Sequence, residues 1–205
     1  MSHADPLPLP VELDVEPGLC IRIRHVQPTD KTLLRDGLDR FSRQSTYQRF
    51  FTPVVRFSED QLEYLTNVDG TEHVALGALD VTGGTERGVG IARYIRLPET
   101  PGVAEAAVSV VDAYQSRGIG SLLLAALSQC AAACSIRTFR AYVLAENHRL
   151  LQYLIALGAT CSSSEGGVVQ VHLPVRGDRS DLPKQPATAT AQWAWGQLDA
   201  ARRAH

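Results

Sequence analysis

Glu105 is the sole acid in an otherwise apolar run from Val103 to Val111, and ten residues beyond it begins the pattern Gln115-x-x-Gly118-x-Gly120. A carboxylate flanked by alanine and valine is expected to be desolvated, which makes it a better proton acceptor near neutral pH. The glycine pattern lies between a β-branched segment (Val108, Val110, Val111) and a run of good helix formers from Leu122 to Ala133. A strand that feeds a glycine-rich turn and then opens a helix makes an anion site. The free N–H groups of the first helical turn face the ligand, and glycines let the backbone come close to it. The pattern lacks the Gly-Lys-Ser/Thr ending of a P-loop and the third glycine of the dinucleotide fingerprint. Read from the residues alone, Gly118-x-Gly120 also fits a plain tight turn. Glu105 likewise fits an edge-strand charge facing water.

The elements that must position these residues follow from periodicity. Met1–Pro17 carries four prolines and reads as a flexible arm, with neither the basic start nor the apolar centre of a signal peptide. Leu19–Val26 alternates Ile21 and Ile23 with Arg22 and Arg24, a strand with one wet face. Lys31–Arg40 and Ser42–Phe51 are expected helices. Ser58 stands three before Gln61, the spacing of a capping box that opens a third. Val74–Val81 and Val89–Leu97 read as strands joined through Gly83-Gly84, and Ala104–Val111 as the strand before the glycine turn. That strand puts Glu105 on one face with Ala107, Ser109 and Val111. Thr138–Leu144 is a strand. Asn147 caps a helix that runs to Leu157 and stops at Gly158, and Thr160–Ser163 and Val168–Leu173 are short strands. Arg176–Ala191 reads as mostly disordered. A short helix over Gln192–Arg203 carries Trp193 and Trp195, which dock either on the chain itself or on a partner.

The totals narrow the field. A chain of 205 residues suffices for one core, and a net charge of −2 gives no steering towards nucleic acid or an anionic membrane. Gly118–Ile136 is free of charge and long enough to span a bilayer, yet it is rich in alanine and serine and carries Gln129, so it reads as a buried core helix. No Cys-x-x-Cys occurs among Cys20, Cys130, Cys134 and Cys161. Cys130 and Cys134 share a helix face with no histidine nearby in sequence, so they read as inert buried thiols rather than metal ligands. Free thiols without a secretion signal suggest a reducing, cytoplasmic setting. His25, His73 and His148 have no partner at ligand spacing, and Arg22, Arg24 and Arg96 are expected to face water.

The motif and the element order together resemble the GNAT superfamily, the Gcn5-related N-acetyltransferases, over about residues 19–173. Motif A of that family is Gln/Arg-x-x-Gly-x-Gly/Ala, met here by Gln115, Gly118 and Gly120. Its motif B is met by Asn147 standing eleven residues before Gly158, with Leu150 and Leu154 between. Several stretches resemble bacterial Pat-type protein lysine acetyltransferases more narrowly: Ile23–Asp30, Arg40-Phe41-Ser42, Ser45–Phe51, Thr66–Asp69 and Ala104–Val108. The resemblance implies an α/β fold of the α+β kind: a mixed, mostly antiparallel central sheet flanked by helices, with splayed central strands. It implies a catalytic domain over residues 18–174 between the arm and a tail from 175 to 205.

It further implies acetyl-CoA as co-substrate and no metal. The backbone from Ser116 through Arg117, Gly118, Ile119 and Gly120 to Ser121 would cradle the pyrophosphate, with Arg117 either adding charge or simply facing solvent. Val108 and Val110 would line the thioester and pantetheine, with an oxyanion donor near Val110. Asn147 would contact the pantetheine as well as cap its helix, and Glu105 would be the general base. Family members often protonate the leaving thiolate with a tyrosine at the position held here by Leu154. Tyr153 is one residue earlier, so no general acid is assigned. The acceptor expected is a protein lysine, the alternatives being a small amine or a coenzyme sensor without turnover, in a monomer or homodimer. The acceptor pocket is expected from the helices between Lys31 and Asn67.

Overall fold

Alternation of apolar and polar residues carries into the structure strand by strand. The computed structural model describes residues 8–52, 55–163 and 165–204. Its strands are β1 (Val11–Glu16), β2 (Leu19–His25), β3 (His73–Asp80), β4 (Arg87–Arg96), β5 (Val103–Val110), β6 (Thr138–Leu144), β7 (Thr160–Ser163) and β8 (Val168–Pro174). They form one sheet in the order β1-β2-β3-β4-β5-β6-β8-β7. Neighbours are antiparallel throughout except β5 and β6, which run parallel. The helices are α1 (Lys31–Leu38), α2 (Arg43–Phe50), α3 (Glu59–Thr66), α4 (Ile119–Ala133), α5 (His148–Ala156) and α6 (Ala189–Ala204).

Local chemistry explains where several helices begin. Ser42 accepts from the Ser45 N–H at 3.1 Å to cap α2, and Ser58 with Gln61 closes the expected capping box of α3. Asn147 caps α5 by accepting from the Leu150 N–H at 3.2 Å. The core lies between the sheet and α4, where Ile21, Ile23, Leu76, Ala92, Tyr94, Leu122, Leu123 and Leu127 are fully enclosed. Gly90 lets this happen, because a Cβ there would stand 2.9 Å from a Leu123 methyl and 3.1 Å from the Ser109 carbonyl.

Two expectations about the chain ends are overturned. Val11–Glu16 is a strand rather than part of an arm: it pairs with β2, and Val11 and Leu13 are buried in the core. Met1–Leu7 lie outside the described residues. The segment after Pro174 is ordered as well. Short 3₁₀ turns form at Arg179–Asp181 and Pro186–Thr188, with Leu182 and Thr188 buried, and α6 starts at Ala189. The proline- and alanine-rich composition misled because order here comes from long-range contacts rather than from a local pattern. Helix α6 runs alongside α4 in the same direction, with Trp193 at Gly118 near its start and Arg202 reaching Gln129 further on. Trp195, Ala194 and Leu198 are buried against the domain itself, so of the two docking alternatives the structure shows the chain's own surface.

This also explains the uncharged helix. Helix α4 has the sheet on one side and α6 on another, so almost no face is left to carry charge. Among the described residues no helix is long and apolar enough to cross a membrane. Trp195→Ala should therefore lower stability by about 3–5 kcal/mol, the range for emptying a buried aromatic site. Deleting residues 175–205 should lower the melting temperature further, both read by thermal unfolding.

Candidate functional site

The site is built on the place where β5 and β6 part. They share three residue pairs, Val103 with Thr138, Ala104 with Phe139 and Glu105 with Arg140, and then separate. Beyond Glu105, β5 stays bonded to β4 up to Val110, while β6 stays bonded to β8 up to Leu144. A wedge opens between them. The Val111 N–H donates to Val89 O on the β4 side at 2.9 Å. Backbone alternation then turns the N–H and C=O groups of Val110 and Val108 the other way, into the wedge. The Val110 carbonyl is occupied by the Gln115 side-chain amide at 3.0 Å.

Glu105 sits at the vertex, on the last shared pair, and is exposed. The apolar neighbours suggested an enclosed carboxylate. They lie along the strand, however, and β6 leaves the open side uncovered from this point on. Val108 and Val110 are half-buried and pack towards α4, on the opposite face from Glu105.

At the wide end, Gly118 holds φ +82° and forms the N-cap of α4. Its conformation suits glycine, and a Cβ there would also meet the Trp193 ring at 2.4 Å. Among the described residues, no backbone N–H from Ser116 to Ser121 donates to a protein acceptor. The first intrahelical bond of the turn is from the Leu122 N–H to Gly118 O. The sequence thus brings Ser116, Arg117, Gly118, Ile119, Gly120 and Ser121 together as a run of free donors at a helix start.

Gln115 does not itself face a ligand. Its amide ties the loop to Val110 O, to Asp112 Oδ1 at 3.1 Å and to Ser45 Oγ at 3.3 Å. Asp112 also accepts from Ser42 and Ser45, which fastens α2 to the loop. Burial opposes its charge, yet these bonds hold the carboxyl below its ordinary range. Arg117 donates to Glu16 of β1 at 2.7 Å and lies over the Tyr114 ring, so its charge is shared with a strand.

Asn147 stands across the wedge from the loop, its side-chain oxygen engaged by the Leu150 N–H. The Tyr153 hydroxyl is within 2.7 Å of Ser121 Oγ and burial raises its pKa, so it is held at α4 rather than presented to the wedge. One further residue was missed in the sequence: Arg149 donates from Nη1 to Ser116 Oγ at 3.2 Å, joining α5 to the loop. Its only signal was a cation in the first turn of a helix, where the dipole disfavours it.

Other readings sort themselves. Cys130 is buried, which pushes its thiol up to about 11, whereas Cys134 and Cys20 are half-buried and Cys161 is exposed. No group of three or more metal-ligating side chains occurs among the described residues. His73 is buried, its Nε2 accepting from Arg93 Nη1 at 3.0 Å. Arg24 does not face water. It forms two bonds to Asp30, at 2.7 and 2.9 Å, because the helices above β2 cover that end of the strand.

Residues 42–158 match the model of the acetyltransferase (GNAT) family. Acetyltransferase Pat of Mycolicibacterium smegmatis is 32% identical over 170 residues, which is 81% of this chain and 49% of that protein. The chain thus spans about half the length of this relative. The GNAT domain of S. lividans PAT superposes with a TM-score of 0.68 at 30% identity, covering 80% of this chain and 96% of that one. A cAMP-binding acyltransferase from Mycobacterium smegmatis gives 0.57 at 26% identity, covering 95% and 56%.

Two substitutions test the loop. Gly118→Glu puts bulk and negative charge among the free amides and a Cβ against the Trp193 ring, so it should remove acetyl-CoA binding in calorimetry and also lower the melting temperature. Arg149→Met should weaken that binding by roughly tenfold, the size of one charge-assisted hydrogen bond, and should flatten its dependence on salt.

Proposed function

The chain belongs to the acetyltransferase (GNAT) family, and from that premise we propose that it moves the acetyl group of acetyl-CoA onto the side-chain amine of a lysine in another protein. The observation that carries this reading is the wedge, with a lone carboxylate at its vertex and a run of unpaired amides at its mouth. The preference for a protein lysine rests on similarity to Pat proteins.

The pyrophosphate of the coenzyme lies on the N–H groups from Ser116 to Ser121, with Arg149 beside them. Val108 and Val110 line the pantetheine arm, and the free side-chain amide of Asn147 donates to it from across the wedge. A lysine ammonium has no lone pair to attack with, so a proton must leave first. Glu105 takes it, through a water where the carboxylate does not touch the nitrogen. The nitrogen attacks the thioester carbonyl carbon, and negative charge grows on its oxygen. Val108 and Val110 turn their N–H groups towards the coenzyme. At about 3.3 Å per residue Val108 is about 10 Å along the strand from Glu105 and Val110 about 16 Å. We therefore assign oxyanion stabilisation to Val108 rather than to the neighbourhood of Val110. The nitrogen, which still carries two protons after the attack, gives one of them to solvent water as the C–S bond breaks, leaving a neutral acetamide and a CoA thiolate that takes its proton from water.

Incubation of the chain with labelled acetyl-CoA and a panel of proteins and small amines, with product masses read directly, should give acetyl-lysine in protein. Exclusive labelling of small amines would move the acceptor to that class. Glu105→Gln should lower kcat by about 10²- to 10⁴-fold, the range for a positioned base, with acetyl-CoA affinity within about twofold of wild type. Full turnover by this variant would overturn the role given to Glu105.

A further inference from the structure

On the face of the sheet opposite α4, helices α1, α2 and α3 stand off from the strands and leave a cavity of about 140 Å³. Its walls are apolar, among them Leu34, Phe41, Phe57, Leu65 and Ile91. Space of this size accepts a benzene-sized guest. Two guanidinium groups enter it, Arg49 from α2 and Arg93 from β4.

Neither guanidinium is balanced. Among the described residues no carboxylate lies within 4.0 Å of Arg49 or Arg93, whereas Arg24 in the same wall is paired with Asp30 at 2.7 Å. Arg93 spends two donors, on His73 Nε2 at 3.0 Å and Leu65 O at 3.1 Å. Arg49 makes no hydrogen bond to a described residue and rests against the Phe50 ring, 4.9 Å from its centroid. Glu105 acts on it only at a distance. Burial, together with the charge of Arg49, lowers Arg93 to about 10, and burial lowers Arg49 as well; a guanidinium is not deprotonated in proteins. The Ser109 hydroxyl also faces the cavity, without a hydrogen-bond partner among the described residues. Unpaired charge in an apolar enclosure is costly, and an anion with an apolar body relieves it.

We infer that this cavity is a binding site for a compact carboxylate with an apolar body of about benzene size, its oxygens on Arg49 and Arg93 and its body among the leucines and phenylalanines. The carboxylate has two sources consistent with a site beside β5. It is either the far end of a dicarboxylic acyl group on the coenzyme, a second donor beside acetyl-CoA, or the carboxylate of an amino acid, a second acceptor beside protein lysine. The choice between them rests on the acetyl-transfer reading, whereas the cavity site itself does not.

The full chain is titrated by calorimetry with benzoate, phenylacetate and the neutral isostere benzamide. The two carboxylates should bind saturably, and benzamide at least tenfold more weakly. Arg49→Met, which breaks no hydrogen bond to a described residue, should weaken benzoate at least tenfold. Leu34→Trp, which fills the cavity from the apolar side, should do the same, each with a native thermal transition. Absence of saturable benzoate binding to the wild-type chain, equal binding of benzamide, or undiminished affinity in folded Arg49→Met would each overturn the inference.

Turnover separates the sources. Glutaryl-CoA outcompeted by benzoate places the carboxylate on the donor, and phenylalanine as an acceptor outcompeted by benzoate places it on the amine. Acetyl-CoA binding is measured separately. Its absence alongside intact benzoate binding would overturn the acetyl-transfer reading and leave the cavity site standing.

Discussion

Everything in this structure depends on a parallel pairing that stops early. Strand β5 is committed to β4 on one side and β6 to β8 on the other, and each of those antiparallel ladders is long. Only three residue pairs join the two halves of the sheet. A sheet twists from strand to strand, and two sub-sheets held together at one end must diverge at the other. The divergence exposes backbone that a continuous sheet would satisfy. Gln115 takes the Val110 carbonyl, and the alternate N–H groups remain for whatever enters. An incomplete ladder is thus the source of the binding capacity.

The loop at the mouth is constrained from four sides. Asp112 fastens it to the start of α2, Arg117 fastens it to β1, Arg149 joins it to α5, and Trp193 of α6 stands over Gly118. A preorganised run of amides needs such support, because free N–H groups give the backbone no reason of its own to hold one shape. Glycine at position 118 has two causes here. The backbone is left-handed, and the neighbouring tryptophan leaves no space for a Cβ. The terminal helix therefore contributes both to the core, through Trp195 and Leu198, and to the shape of the run of free amides, through Trp193.

Much of this was legible in the sequence where the signal was local. The limits of β6 and β7 agree with the strands read from alternation, and the Ser58–Gln61 box opens α3 as its spacing demands. The mixed sheet with parting central strands follows the resemblance carried by Gln115, Gly118, Gly120 and Asn147. What could not be read depends on contacts distant in the chain. Val11–Glu16 looked like an arm because prolines flank it, and only its partner β2 makes it a strand. The segment after Pro174 has no periodic pattern until α6, and its order comes from packing on α4 and α5. Glu105 looked enclosed because its sequence neighbours are apolar. A strand's neighbours in sequence do not cover its faces; a layer packed on the sheet does, and Glu105 is exposed on its face.

The two faces of β5 divide the chemistry between them. Residues that turn towards α4, Val108 and Val110, are apolar and lie along the way from the vertex to the amide cradle. Residues that turn the other way, Glu105, Ser109 and Val111, run towards the cavity with its unpaired guanidiniums. A ligand fixed by its phosphates at Gly118 must reach back along β5 from Val110 to Glu105, about 16 Å at about 3.3 Å per residue, to lie beside the acid. A mononucleotide is too short for that span, and a nucleotide with a long slender arm is not. Where the free amides hold a diphosphate, this separation suits a coenzyme with a spacer, and the period-two geometry of one strand decides which side of the sheet receives its reactive end.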